Sequence, residues 1–95
     1  MVKNNPLRIV FFGTPEFALP ALDRLYGDDR FIIESIVTQP DKPRGRGKIL
    51  TQTAVNEFAT SHYLPVLKPI TLNQEILIKN IRDFHPDFIV VVAYG

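Results

Sequence analysis

Leu7 to Ala18, LRIVFFGTPEFA, is the stretch on which the fold turns: six residues of β-branched, aliphatic and aromatic character run straight into a turn and then into a helical pattern. A run with no polar alternation fits a strand covered on both faces, and Gly13-Thr14-Pro15 closes it. Thr14 is expected to cap the helix that follows and Pro15 to occupy its first position, with Glu16 near the positive helix end. Phe17, Ala18, Ala21, Leu22 and Leu25 then recur at helical spacing, and Gly27-Asp28-Asp29 ends the pattern. Pro20 falls in the first turns, where its cost is smallest.

The same alternation continues along the chain. Phe31 to Thr38, FIIESIVT, reads as a second strand, and Glu34 and Ser35 suggest one less covered face at that height. Thr53 to Tyr63 supports a second helix capped by Thr51 or Thr53, with Val55, Phe58, Ala59 and Tyr63 inward. Val66-Leu67 makes a short edge strand between Pro65 and Pro69. Asn73 is placed as the cap of a third helix carrying Leu77, Ile78, Ile81 and Phe84 on one face, and Pro86 halts it. Phe88 to Ala93, FIVVVA, is the most apolar strand.

This β-α-β-α-β-α-β order predicts an α/β fold: a Rossmann-like parallel sheet of order 3-2-1-4 with helices on both faces. Ligands in such sheets bind beyond the carboxyl ends of the strands, which here are Gly13-Thr14-Pro15, Thr38 to Lys48 and Ala93-Tyr94-Gly95. An apolar strand such as FIVVVA is expected to have neighbours on both sides, yet in this order it lies at an edge. Residues 1–95 are therefore expected to be the N-terminal part of one larger domain, an incomplete half.

Composition limits the rest. With 95 residues and 45% hydrophobic content the chain suits at most one small domain. The net charge of +1 argues against a general polyanion binder. No cysteine is present, so disulfides and thiolate metal sites are excluded. The N-terminal apolar run is too short for a signal peptide or a membrane span, and the reading is a soluble protein.

Against this near-neutral background, Thr38 to Lys48, TQPDKPRGRGK, sets Lys42, Arg44, Arg46 and Lys48 against Asp41 alone, a local excess of three positive charges. Strand-to-helix connections usually run about two to six residues, and the segment from Gln39 to Leu50 is roughly twice that. One reading is a solvated connection that aids solubility. The other is a binding loop: Pro40 and Pro43 restrict it, Gly45 and Gly47 let the backbone around Arg46 approach a partner, and the arginine fork suits phosphate. An RNA backbone is the natural partner.

Other chemistries find little support. A dinucleotide site needs G-x-G-x-x-G after the first strand, where only Gly13 stands, and no acid ends the second strand. His62 and His85 fall at helix ends, where a cation meets the negative dipole, without the spacing of a metal site or a catalytic pair. Asp23, Asp28, Asp29, Asp83 and Asp87 lie at helix ends and turns, where capping and solvation explain them.

Three segments in fixed order, FFGTPEFA, TQPDKPRGRGK and VVVAYG, resemble the N-terminal part of the methionyl-tRNA formyltransferase family, and the resemblance covers nearly the whole chain. It implies transfer of a formyl group from 10-formyltetrahydrofolate to the α-amino group of methionyl initiator tRNA, in the cytoplasm and without a metal. It further implies that Asp41, Lys42, Arg44, Gly45, Arg46, Gly47 and Lys48 face the tRNA acceptor end, with Arg46 central. Val92, Ala93, Tyr94 and Gly95 would begin the wall of the folate pocket, and Gly13, Thr14, Pro15 and Phe17 the neighbouring turn. The family's catalytic asparagine, histidine and aspartate belong to later segments, so no catalytic residue is assigned within these 95, nor is the C-terminal tRNA-binding domain. The full-length protein is expected to be a monomer, and the 95-residue piece to be inactive alone and able to self-associate through the Phe88–Ala93 edge. Another user of the same formyl donor, or an RNA-binding module without enzymatic activity, are the competing readings.

Overall fold

The computed structural model describes residues 5–94. Strand β1 (Leu7–Gly13) leads through a 3-10 turn (Glu16–Ala18) into α1 (Leu19–Tyr26) and β2 (Phe31–Val37); β3 (Lys42–Arg44) and β4 (Ile49–Thr51) follow. Helix α2 (Ala54–Ser61), β5 (Val66–Leu67), α3 (Glu75–Asp83) and β6 (Phe88–Val92) complete the order. The main sheet runs β5-β2-β1-β6, all parallel. Because β3 and β4 pair only with each other, this is the 3-2-1-4 order that the sequence predicts.

The unbroken apolar run of β1 is explained by its central position. Ile9 and Phe11 point to one face, where they are buried with Ala18 and Leu22 around α1, Ile33 and Ile36 of β2, and Val55 and Ala59 of α2. Val10 and Phe12 point to the other, where Val37 and Leu77 of α3 close over them and Ile81 and Phe84 pack alongside. Alternate residues of one strand therefore feed two separate cores.

Several local expectations are corrected. The α-helix begins at Leu19, not at Pro15, because Pro20 must occupy a first-turn position where its missing N–H has no partner to lose. The residues before it tighten into the 3-10 turn, Thr14 makes no cap, and Phe17 is turned outward at 78% exposure. In β2 the pairing slips between Ile9 and Val10, so that Ile9 faces Ile33 and Val10 faces Ser35. Glu34 is left as the extra residue of this bulge and pairs with Arg8 at 3.1 Å, while Ser35 is fully buried on a well-covered face.

Helix α3 has Gln74, not Asn73, at its N-cap, with no side-chain cap bond; the Asn73 N–H donates to Thr71 Oγ1 at 2.9 Å in the turn before it, and Ile78 lies on the outer side of the helix. Tyr63 is almost wholly exposed, its backbone in the left-handed region just after α2 ends. Strand β6 does lie at the sheet edge, beside β1 alone, and leaves Phe88, Ile89 and Val91 more than half exposed.

Candidate nucleic-acid interface at the strand tips

The basic segment is a β-hairpin, where the sequence suggests an irregular loop. Lys42 faces Thr51, Pro43 faces Leu50 and Arg44 faces Ile49, and residues 45–48 form the turn, closed by the Lys48 N–H donating to Gly45 O at 3.3 Å. Three of the four turn residues have positive φ: Gly45 at 68°, Gly47 at 80° and Lys48 at 52°. A Cβ at either glycine would meet nothing within 4 Å, so backbone conformation, not space, calls for glycine there. Lys42, Arg46 and Lys48 are exposed, as are Ile49 and Leu50 on the returning strand. The two glycines thus keep the backbone bare on either side of Arg46.

The hairpin's legs are fastened where they leave the body. Thr38, fully buried at the end of β2, lies 2.8 Å from Thr53 through the two hydroxyl oxygens. Thr53 caps α2, its Oγ1 accepting from the Asn56 N–H at 3.0 Å. The Gln39 N–H donates to Thr14 Oγ1 at 3.4 Å, which ties the tip of β1 to the same neck. Asp41 is paired with Lys68 at 3.4 Å, so the single carboxylate of the basic segment is held against the loop after β5.

The residues that the resemblance assigns to the folate wall form two groups. Gly13 pairs with Val92 across β1 and β6, and the Tyr94 ring packs on Phe12 at 5.7 Å between centroids, on the α3 side of the sheet. Ala93 between them has φ of 49°, turning the chain off the strand. Partial burial raises the Tyr94 phenol pKa above its usual value, so the ring carries a neutral hydroxyl at physiological pH. Thr14, Pro15 and Phe17 instead line a cleft of about 370 Å³ with Glu16, Thr51, Gln52, Thr53 and Ala54, between the β1 turn, the hairpin base and the start of α2. Tyr94 does not line that cleft. Gly95 lies outside the described residues.

Several of the other titratable groups are engaged elsewhere. His62 places Nδ1 2.8 Å from Phe58 O, stacks on the Phe58 ring and meets Tyr26 edge-on. Asp87 accepts from the Arg8 N–H, Asp28 binds Arg30, and Asp83 pairs with Lys79. Among the described residues no group of three His, Cys, Asp or Glu could hold a metal, and no helix is long and apolar enough to cross a membrane.

Three features escape the sequence reading: the hairpin, the Thr38–Thr53 pair and the Asp41–Lys68 pair. A signal for the hairpin was present, since two short segments flank a glycine-containing turn of four residues.

Compared with models of known protein families, the chain matches none. Individual proteins do match. The methionyl-tRNA formyltransferase of Clostridium acetobutylicum is 46% identical over 90 residues, 94% of this chain and 28% of that protein. Those of Acetivibrio thermocellus and Halothermothrix orenii are each 45% identical over 89 residues, again 94% of this chain and 28% of theirs. The chain therefore spans little more than a quarter of the length of the curated relatives it matches. Across the stretch that it spans, and with the parallel α/β sheet predicted from its motifs, the chain is similar at 44–46% identity to part of the methionyl-tRNA formyltransferases.

Proposed function

We propose that these residues are the N-terminal part of a formyltransferase domain that carries a formyl group from 10-formyltetrahydrofolate to the amino group of methionyl initiator tRNA in the cytoplasm. The rest of that domain and a C-terminal tRNA-binding domain belong to sequence beyond this chain. The observation that carries this reading is the exposed basic hairpin, held at the carboxyl edge of the sheet beside the cleft lined by Thr14, Pro15 and Phe17. Lys42, Arg46 and Lys48 supply cations for the phosphates of the acceptor end, while the side chain of Arg44 lies outside what the structure describes. Gly45 and Gly47 give the RNA close access, and Asp41 acts through its pair with Lys68.

On the donor side, Gly13, Val92, Ala93 and Tyr94 offer a mostly apolar wall with one neutral phenol, which suits the face of a flat heteroaromatic ring. None of these side chains can take the proton of the attacking amine or hold a tetrahedral oxyanion, and both tasks are assigned to groups outside this chain. The purified 95 residues, mixed with 10-formyltetrahydrofolate and methionyl-tRNA, are expected to yield no formyl-methionyl-tRNA. Formylation by the piece alone would overturn this division of labour.

The β6 edge favours a second property. Phe88, Ile89 and Val91 are more than half exposed on a strand with one bare hydrogen-bonding edge, a template for pairing with another copy. Sedimentation of the 95-residue chain is expected to show dimers that grow with concentration. Monomers across a wide concentration range would exclude pairing through this strand.

A further inference from the structure

We propose that Thr38 is a positioning residue for RNA binding: its buried hydroxyl contact with Thr53 closes the neck of the basic hairpin and fixes the direction in which Arg46 is presented. This rests on the tRNA reading of the hairpin given above.

Residues 39–52 leave the main sheet after β2 and rejoin the body at α2, and β3 and β4 pair only with each other. Their direction is therefore set at the neck. Four side-chain contacts are available there among the described residues, and they differ in kind. Asn56 Nδ2 donates to Gln52 Oε1 at 2.8 Å, but between residues four apart, so it ties only the returning leg to α2. The Asp41–Lys68 pair is about one-third exposed on both sides and open to screening by salt. The bond from the Gln39 N–H to Thr14 Oγ1 is long, at 3.4 Å. The Thr38–Thr53 contact is short, at 2.8 Å, and lies between residues that are fully buried and 8% exposed.

Burial makes this contact hard to exchange for water. If the hairpin swings, the Thr38 hydroxyl loses its partner in a place where solvent cannot replace it. The two residues also anchor different elements. Thr38 donates its N–H to Leu67 O of β5 at 3.0 Å, and Thr53 caps α2 through the Asn56 N–H. A single hydroxyl pair thus joins the end of β2, backed by β5, to the start of α2, with the cationic hairpin between them.

Thr38→Val tests this cleanly, because it keeps the shape of the side chain, the β2–β5 backbone bond and the Thr53 cap. In the intact protein, binding to methionyl initiator tRNA is expected to weaken about five-fold, the worth of one net hydrogen bond. The slope of log affinity against log salt is expected to stay unchanged, since no cation is removed. Backbone amide order in residues 42–51 is expected to fall by NMR relaxation, with β1 and β2 unaffected, and Thr38→Ser is expected to restore both readouts.

A lower melting temperature with unchanged affinity and unchanged hairpin order would overturn the proposal and leave the pair merely structural. If the wild type shows no tRNA binding but Thr38→Val still loosens residues 42–51, the neck contact is supported and the tRNA reading fails instead.

Discussion

Arg46→Ala is expected to weaken binding of methionyl initiator tRNA by about ten-fold at low salt and to reduce the magnitude of the salt slope by about one, the signature of a single lost phosphate contact. Arg46 sits in the turn between two glycines whose backbone takes positive φ, so no side chain on either neighbour shields it. Its planar fork can serve two phosphate oxygens at once, whereas an ammonium acts as a point charge. Arg46→Lys is therefore expected to keep the salt slope and to recover only part of the affinity. The fold should be indifferent to both changes, because an exposed side chain in a hairpin turn contributes little to stability. Equal binding by wild type and Arg46→Ala at every salt concentration would remove Arg46 from the interface.

The second large effect is expected at Gly13. A Cβ there would lie 2.7 Å from Phe11 Cε1, 3.0 Å from Ala18 Cβ and 3.1 Å from Val92 O. Phe11 and Ala18 are fully buried, and Val92 O belongs to the adjoining backbone, so none can give way cheaply. Gly13→Ala is expected to destabilise the chain by about 1–3 kcal/mol, the usual range for overpacking. In a domain of this size each kcal/mol lowers the melting temperature by roughly 4–8 °C.

Gly27→Ala is the matched control. Its nearest new contact, Asp23 O at 3.5 Å, is ordinary, and its φ of −85° is open to any residue. A Gly13→Ala protein as stable as the control would mean that β1 and β6 do not meet as described. The glycine is demanded by packing between β1, the 3-10 turn and β6.

The fold was legible where burial is two-sided or periodic. The LRIVFF run fits a strand covered on both faces, and the stripes Leu22 with Leu25 and Leu77 with Ile81 fit helix faces that meet it. What stayed hidden depends on contacts between distant residues. Neither three-residue arm of the hairpin is long enough to show a period, and each is stabilised only by the other. The slip beside Glu34 is a choice of register made jointly by β1 and β2, so Glu34 and Ser35 suggested a less covered face where Ser35 is in fact buried. Pro20 marked the helix, but its position set the true start at Leu19.

At the site the separation is similar. The cations and glycines of residues 42–48 announced themselves by local density. Asp41 seemed one more member of the same segment until Lys68, 27 residues on, proved to hold it. Thr53 was legible as a helix cap, but its pairing with Thr38 carried no signal, because that meaning comes from the 2.8 Å between them. Phe17 kept the helical spacing of a core residue, yet the tightened turn before α1 sends it into the cleft.

The most direct measurement is the salt dependence of affinity between the intact protein and methionyl initiator tRNA. With its cations on phosphates, the hairpin should contribute about −3 to the slope with which log affinity falls against log salt. The slope should become shallower by about one for each of Lys42, Arg46 and Lys48 replaced by alanine. A flat salt profile, or a slope that all three replacements leave unchanged, would contradict the assignment of the β3–β4 hairpin to the tRNA backbone.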